Sequence, residues 1–388
     1  MHNIPIKQSG IRSATIKCEQ LGGINLGQGV CDLHTPNSLK LAAINSIIND
    51  KNTYADFQGV YELRKKVEFK LKSFNQIKID DINDIMISHG STGAFICAIK
   101  SLVKPGEEAI LIEPFYGYHK QILDLHQVVT KTVKINLNDL SLDFNQFEQV
   151  ITDKTKIIVL CNPSNPSGKV FTKEELIQLG NIAKKHKMYI ITDEIYEYIT
   201  YPGHNHISIA SINNFKEFTI TISGLSKTYN ITGWRIGYAC GPNEIIKKMS
   251  LIHDLLYICP PTPLQYAAIR ALDFNDEYYY ELQKGYLTKR DKTIQYLKDM
   301  NLNPTVPEGA YYVMVNFSQH QLLSQFDDVQ LANFLLTESK VAVVPGRFFY
   351  NDYKDGIDMF RICYALNEEK VTQGLEQLQR LISNRVGK

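Results

Sequence analysis

Short apolar runs alternate with helical stretches through the middle of the chain. Residues 157–160 form such a run without a polar interruption, which favours a strand that is buried on both faces. Thr172 and Glu175 form the Thr-x-x-Glu pattern of a capping box, and this predicts a helix from there to about residue 186. The other strands predicted in this region are 85–88, 109–112, 128–133, 188–192 and 218–222, and the other helices are 91–103, 117–126 and 142–151. Strands that alternate with helices predict βαβ units, and therefore a mostly parallel sheet with helices on both faces.

The two ends of the chain follow a different pattern. Residues 1–45 are expected to be mostly irregular. After about residue 275 the pattern predicts, in order, a polar helix (278–300), a strand (310–315), a helix (328–336), strands 341–344 and 357–363, and a last helix (368–384). We therefore predict an α/β protein with a large domain of residues 46–275. A small α+β domain would be built from both ends of the chain, 1–45 and 276–388.

Composition and charge narrow the class of protein. The 388 residues are 44% hydrophobic and 21% charged, as is usual for folded globular proteins. Lys and Arg number 42 against 41 Asp and Glu, and this balance argues against a nucleic-acid binder, which needs a basic face. No apolar run has the length of a membrane span, and the first residues lack the basic and apolar regions of a secretory signal. The seven cysteines are scattered without a Cys-x-x-Cys pair, so we expect a reducing compartment, the cytoplasm.

Four polar segments follow predicted strands, and the carboxyl ends of parallel strands meet at one edge of a sheet. Segment 88–94, Ser-His-Gly-Ser-Thr-Gly-Ala, is a glycine-rich turn from strand to helix. Its free N–H groups and the helix dipole would suit an anion, although a plain turn has the same composition. Segment 161–168 contains two Asn-Pro pairs, which make a rigid loop with either a structural or a binding role.

The other two segments carry charged side chains. Asp193 follows the strand 188–192, where a carboxylate is costly to bury without a partner; a helix cap or a salt bridge is the alternative. Segment 223–237 is rich in Ser and Gly, yet it holds Lys227, Arg235 and the only Trp of the chain. A lysine in such surroundings is a candidate for a lowered pKa and a nucleophilic amine, whereas an ordinary lysine would be solvated. Position and composition therefore predict an anion-and-amine site at the sheet edge.

The four segments together resemble the class I/II aminotransferases, which are pyridoxal-phosphate enzymes of fold type I. Segments 162–168, 193–196 and 226–238 follow that family's order and spacing, and the last, Ser-Lys-Thr-Tyr-Asn-Ile-Thr-Gly-Trp-Arg-Ile-Gly-Tyr, is the most specific. Segments 26–29 and 113–116 are most similar to the branch that holds kynurenine, glutamine, methionine and aspartate aminotransferases. Matches that extend the resemblance over nearly the whole chain are 54–63, 307–311 and 361–366.

The resemblance implies the cofactor pyridoxal 5′-phosphate and the catalytic residues Lys227, Asp193 and Tyr196. Lys227 would bind the cofactor aldehyde covalently and, once displaced by the incoming amino acid, would move the substrate proton. Asp193 would keep the pyridine nitrogen protonated, so that the ring draws electrons from Cα. Tyr196 and Asn165 would hydrogen-bond the phenolic oxygen of the ring, and Tyr116 would stack on its face.

The resemblance also implies the residues that bind the cofactor phosphate. The backbone N–H groups of Ser91 and Thr92 would hold it together with the Arg235 side chain. Many relatives have Ser three residues before the lysine, where this chain has Gly. A hydroxyl from either Ser223 or Ser226 is therefore expected in its place.

Substrate and subunit contacts follow from the same resemblance. Arg361 would bind the substrate α-carboxylate through two hydrogen bonds, which suits a planar guanidinium. Gly29 and Asn165 would lie beside the same substrate. Tyr54 would reach the phosphate of the neighbouring subunit, which implies a homodimer with shared active sites.

Two further features have a weaker functional interpretation. His204 and His206 lie in a polar loop, but no third ligand stands out nearby, so we expect no metal site. Arg347 lies in a loop close to where relatives set side-chain specificity. It would either bind an acidic substrate or be an ordinary surface arginine.

The preferred function is transamination in two half-reactions: an L-amino acid gives its amino group to the cofactor, and a 2-oxo acid takes it up. Another pyridoxal-phosphate reaction on an amino acid, namely β-elimination, decarboxylation or oxidation, is the alternative. A ligand-sensing regulator with a DNA-binding module is disfavoured, because only about 25 residues precede the segment that begins at Leu26. The amino donor, the acceptor and the pathway stay open.

Overall fold

The computed structural model describes residues 10–386. Its strands are β1 (Ile24–Asn25), β2 (Ile85–His89), β3 (Glu108–Glu113), β4 (Val129–Lys134), β5 (Thr155–Cys161), β6 (Tyr189–Asp193), β7 (Thr219–Gly224), β8 (Ile236–Cys240), β9 (Asn303–Pro304), β10 (Tyr312–Asn316), β11 (Val341–Ala342), β12 (Val344–Pro345) and β13 (Met359–Cys363). Its α-helices are α1 (Gly10–Gln20), α2 (Asn37–Ile48), α3 (Tyr61–Ser73), α4 (Gly90–Leu102), α5 (Gly117–Leu125), α6 (Asn145–Val150), α7 (Lys173–Lys185), α8 (Asn243–Tyr257), α9 (Thr262–Ile269), α10 (Asp276–Asp299), α11 (Asp328–Ser339) and α12 (Glu368–Val386).

The main sheet contains, within the described residues, seven strands in the order β2-β8-β7-β6-β5-β3-β4. The pairings from β4 across to β7 are all parallel, whereas β8 is antiparallel to both of its neighbours. The mostly parallel sheet predicted from the alternation of strands and helices is therefore confirmed. Because β5, β6 and β7 run in the same direction, their carboxyl ends lie side by side at one edge.

Strand β5 is covered by apolar residues on both of its faces. Ile157 and Val159 belong to a core cluster with α4 and α8, while Ile158 and Leu160 belong to a second cluster with α7. Successive side chains of a strand point to opposite faces, so helices cover both sides of the sheet, as predicted. The α7 helix begins with the predicted capping box.

A second layer of strands is built from the two ends of the chain. Strands β12, β13, β10 and β9 form an antiparallel sheet, and β1 pairs in parallel with β11 through Ile24 and Val341. Side chains of α10, α11 and α12 share one core cluster with these strands. The predicted strand 341–344 divides into β11 and β12, because Val344 pairs with β13 instead of β1.

The prediction that residues 1–45 are mostly irregular is wrong for their described part, which contains α1 and most of α2. The first nine residues lie outside the described residues. Helix α2 exposes Leu41, Ile44, Ile47 and Ile48 to solvent, while Leu39 is buried. Its apolar residues therefore lie on several sides of the helix, and no single apolar stripe marks it in the sequence.

Several other elements differ from the prediction, and helices α3, α8 and α9 were not predicted. Helix α6 is shorter than 142–151, because Leu142 forms a β-bridge with Ile135 before the helix begins. Strand β8 was not predicted, because its Ile-Gly-Tyr-Ala-Cys sequence directly follows the polar segment and contains a glycine, which disfavours strands. None of the helices among residues 10–386 combines the length and apolarity that a membrane crossing requires.

Candidate active site

A cavity of about 550 Å³ opens at the carboxyl ends of β5, β6 and β7. All four polar segments singled out in the sequence contribute to its walls, together with residues near both ends of the chain. The predicted site residues that line it are Gly29, Ser91, Thr92, Tyr116, Asn165, Asp193, Tyr196, Ser226, Lys227, Arg235 and Arg361.

One end of the cavity is formed by the N-terminus of α4 and by Arg235. Gly90 has a left-handed φ of 69°, and a Cβ at this position would lie 2.3 Å from an Arg235 side-chain nitrogen. A Cβ on Gly237 would lie 2.5 Å from the backbone nitrogen of Ser91. The glycines thus let the guanidinium and β8 approach the free N–H groups of the helix, and this end suits an anion.

Lys227 lines the cavity. Its Nζ donates to the carbonyl oxygen of Gly29 at 2.8 Å. Burial lowers the pKa of Lys227 to about 8; the Arg235 charge acts in the same direction, and Asp193 acts against it. A fraction of the amine is therefore neutral near pH 7, which a nucleophile or a base requires.

Asp193 ends β6 on the wall of the cavity. Its Oδ2 lies 3.1 Å from Nε2 of His119, and its Oδ1 accepts a hydrogen bond from the Ile195 backbone. The His119 ring stacks on Phe95 at 4.4 Å and meets Tyr116 edge-on. The carboxylate is therefore held in a fixed orientation by a buried histidine that the sequence analysis did not single out.

Arg361 lies on β13 and is almost completely buried, with 2% of its surface exposed. Its Nη1 donates to Oδ1 of Asn165 at 2.8 Å, and its Nη2 donates to the carbonyl of Gly27 at 2.6 Å. Both acceptors are neutral, and Nε has no partner among the described residues. A buried guanidinium without a counter-charge is costly, so this position suits an anionic group of a bound molecule.

The family model for aminotransferases of class I and II matches residues 22–378. The chain belongs to this family. It is 32% identical over 364 residues to an aspartate aminotransferase of Pyrococcus abyssi, covering 92% of this chain and 91% of that one. It is 29% identical over 366 residues to a methionine aminotransferase of Escherichia coli, covering 94% and 93% of the two chains. Superposition on an aspartate aminotransferase of Thermus thermophilus gives a TM-score of 0.89, with 30% identity and coverage of 98% and 100%.

This aminotransferase is therefore a transaminase of fold type I, and the resemblance read from the sequence is confirmed. Transamination is supported over the other pyridoxal-phosphate reactions. The family is generally dependent on pyridoxal 5′-phosphate. The residues of the cavity fit that cofactor, because a phosphate-sized anion site, a lysine of lowered pKa and a buried carboxylate all face one space.

A second buried histidine supports the anion end of the aminotransferase cavity. Nε2 of His253, on α8, accepts the backbone N–H of His89 at 2.9 Å, directly before the Gly90 turn. Burial lowers the pKa of His253 to about 4, so the ring is neutral and able to accept. His253 and His89 are 164 residues apart in the chain, and no local pattern indicates their contact.

The two candidate serines are placed differently. Ser226 lines the cavity, whereas the Ser223 hydroxyl donates to Oε1 of Glu197 at 2.7 Å and lies outside the lining. Ser223 is within β7 and is completely buried. Of the two, only Ser226 lines the cavity that holds the anion end.

Tyr54 does not line the cavity of its own chain. It lies between α2 and α3, and 80% of its surface is exposed. No contact with the site described above is made by this side chain within the described residues.

Arg347 forms ion pairs with two neighbouring carboxylates of its own chain. Its Nε donates to Oδ1 of Asp328 at 2.6 Å, its backbone N–H donates to Oδ2 of the same residue, and Asp327 adds a contact at 3.2 Å. Asp328 is completely buried. Neither interpretation of Arg347 from the sequence describes this arrangement, because the side chain neutralises a buried carboxylate.

His206 has acidic neighbours that the sequence spacing did not indicate. Its Nε2 lies 3.1 Å from Oε2 of Glu194, and Glu197 belongs to the same group of possible ligand atoms. The reason given against a metal, the lack of a third ligand, is therefore wrong. Lys70 forms an ion pair with Glu197, however, so the two carboxylates already have a cation and a histidine as partners.

Proposed function

We propose that the aminotransferase binds pyridoxal 5′-phosphate in this cavity, with Lys227 as its covalent partner. The proposal depends above all on one observation: a lysine whose pKa burial lowers to about 8 shares a single cavity with a helix N-terminus, Arg235 and a buried carboxylate. The backbone N–H groups of Ser91 and Thr92 would hold the phosphate with Arg235 and the Ser226 hydroxyl. When bound, the cofactor supplies an electron sink for the bonds at Cα of the amino acid.

Lys227 would move the substrate proton. With a pKa of about 8, roughly one amine in ten is neutral at pH 7, and it can accept a proton at Nζ. The Gly29 carbonyl accepts a hydrogen bond from this Nζ at 2.8 Å and so limits its position. Asp193, oriented by His119, would face the pyridine nitrogen and favour its protonated form.

Arg361 would bind the α-carboxylate of amino and oxo acids. The guanidinium is buried, and Asn165 and Gly27 orient it. Since Oδ1 of Asn165 accepts from Arg361, the amide NH₂ of Asn165 is available to donate to the phenolic oxygen, beside Tyr196. Gly29 would border the same substrate, and Tyr116 would stack on the ring.

We further propose a homodimer with shared sites. Helix α2 exposes several large apolar residues, and helix α8 exposes Leu251, Leu255 and Leu256. Apolar surface of this extent favours a protein interface. Tyr54, exposed in its own subunit, would reach the phosphate of the other.

Mixing Lys227→Ala and Tyr54→Ala subunits should restore activity, because each hybrid dimer has one site with both native residues. No recovery of activity would contradict active sites that are shared between subunits.

The division near residue 275 into a large and a small domain and the cytoplasmic location also belong to the proposal. The location is supported by the cysteines of the described residues, all of which are free thiols. The names of the relatives include both aspartate and methionine aminotransferases at similar identity. They do not select a substrate for this chain, so the donor and acceptor are left to experiment.

Borohydride reduction of the purified protein tests the cofactor site. We expect a pyridoxyl adduct on the peptide that contains Lys227, and no adduct in Lys227→Ala. A panel of amino acids, each added without an oxo acid, should then convert the cofactor absorbance of the wild type to that of the aminated cofactor. An adduct on a different lysine, or no spectral change with any amino acid, would refute the proposed function.

A further inference from the structure

Tyr312, the first residue of β10, links two parts of the site and was not among the residues predicted from the sequence. It is 2% exposed and lines the cavity. Its hydroxyl lies 2.8 Å from the hydroxyl of Tyr196. Its ring covers the guanidinium of Arg361 at 4.3 Å, and the ring of Phe349 lies 4.9 Å from the same guanidinium. One side chain therefore contacts both the residue expected at the cofactor oxygen and the residue expected at the substrate carboxylate.

The Tyr312 hydroxyl is confined on two sides. A Cβ on Gly29 would lie only 1.9 Å from it, so the hydroxyl occupies space that any other residue at position 29 would fill. Tyr196 lies on the other side, and the two rings meet edge-on with centroids 5.7 Å apart. Burial raises the pKa of Tyr312, which keeps the phenol protonated and able to donate.

The direction of the hydroxyl contact follows from counting protons. Each tyrosine has one O–H proton. If Tyr196 directs its proton to the phenolic oxygen of the cofactor, its oxygen can only accept within the tyrosine pair. Tyr312 must then be the donor of the 2.8 Å hydrogen bond. A donor behind Tyr196 polarises its O–H bond and makes it a stronger donor in turn.

We propose that Tyr312 is a positioning residue for both neighbours: its hydroxyl aims the Tyr196 proton at the cofactor, and its ring keeps the Arg361 guanidinium in place for the substrate carboxylate. This inference rests on the proposed function, since it needs the cofactor in the cavity and the substrate on Arg361. The two roles use different atoms of one side chain, so different substitutions separate them.

Tyr312→Phe removes the hydroxyl and keeps the ring. In the holoprotein, the pH at which the absorbance of the Lys227-linked cofactor titrates should rise by roughly half a pH unit, because the phenolic oxygen loses part of its stabilisation. The KM for the amino acid should stay within about twofold, since the ring still covers Arg361. Tyr201→Phe is the matched control: Tyr201 is buried and bonded to the Tyr364 hydroxyl at 2.8 Å, outside the cavity. It should leave the titration unchanged.

Two further variants decide between the roles. In a Tyr196→Phe background, adding Tyr312→Phe should produce no additional shift, because the hydroxyl acts through Tyr196. Tyr312→Leu removes the ring and should raise the KM for the amino acid about tenfold, with cofactor content unchanged.

Each part of the proposal has its own contradicting result. A wild-type titration in Tyr312→Phe, or a shift that persists without the Tyr196 hydroxyl, would overturn the hydroxyl role. An unchanged KM in Tyr312→Leu would overturn the ring role. A wild-type protein without a cofactor on Lys227 would instead refute the proposed function, so the two failures are distinguishable.

Discussion

Replacing Lys227 by methionine should stabilise the cofactor-free protein at neutral pH, and this gain should shrink as the pH rises. The cause is the cost of keeping an ammonium ion away from water. Methionine keeps the length of the side chain and removes the charge. It also removes the hydrogen bond from Nζ to Gly29, and this loss offsets part of the gain.

The magnitude follows from the pKa of Lys227, which burial lowers from 10.5 to about 8. Between these two values the unfolded chain binds more protons than the folded protein, so the unfolding free energy of the wild type rises with pH. Below pH 7 the charged lysine lowers the unfolding free energy of the wild type by about 3 kcal/mol relative to a neutral side chain. This value is an upper bound, because the lysine is partly open to the cavity. Between pH 7 and pH 9 the wild type should gain roughly 1.3 kcal/mol relative to Lys227→Met.

Urea unfolding of the cofactor-free proteins at pH 7, 8 and 9 measures this difference. Lys104→Met is the matched control, since Lys104 is exposed and its side chain lies away from the cavity. We expect the control to keep a constant offset from the wild type. A constant offset for Lys227→Met as well, or a wild type that loses stability relative to it with rising pH, would refute the reasoning.

Three other substitutions test separate parts of the structure. Arg361→Lys should raise the KM for amino acids by 10- to 100-fold, which corresponds roughly to the loss of one charged hydrogen bond, with little change in cofactor affinity. An equal rise in the KM for an amine that lacks the carboxylate would contradict this. Arg347→Ala should lower the unfolding free energy by about 2–3 kcal/mol, because buried Asp328 loses its cationic partner and keeps the backbone N–H of residue 347. Steady-state assays should find the donor preference unchanged. His119→Phe removes the partner of Asp193 and should weaken cofactor binding about tenfold in equilibrium titrations, whereas unchanged affinity would count against its orienting role.

The parts of the fold that the sequence predicts are those with a local cause. Strand β5 is apolar because both of its faces are covered, and α7 carries its start signal within four residues. Helix α2 gives no such signal, because Ile44, Ile47 and Ile48 face solvent in this chain. Periodicity reports the burial within one chain, so a helix with apolar residues on several sides is missed.

The residues of the site likewise divide into those that a local segment of the sequence indicates and those that depend on distant contacts. Lys227 and Asp193 were found because each lies in a local segment that follows a strand, and parallel strands bring such segments to one edge. His119, His253 and Tyr312 were missed because their roles come from partners far away in the chain, 116 residues for Tyr312 and Tyr196. The residues next to these three side chains in the sequence do not indicate such distant contacts.

The pairing of β1 with β11 has a consequence for biosynthesis. Ile24 is translated early, but its partner Val341 leaves the ribosome about three hundred residues later. All strands of the main sheet lie between β1 and β11 in the chain, so that sheet can form before β1 has its partner. The phosphate and lysine positions would then be assembled first in the nascent protein, and Gly29 and Arg361 would close the substrate side last.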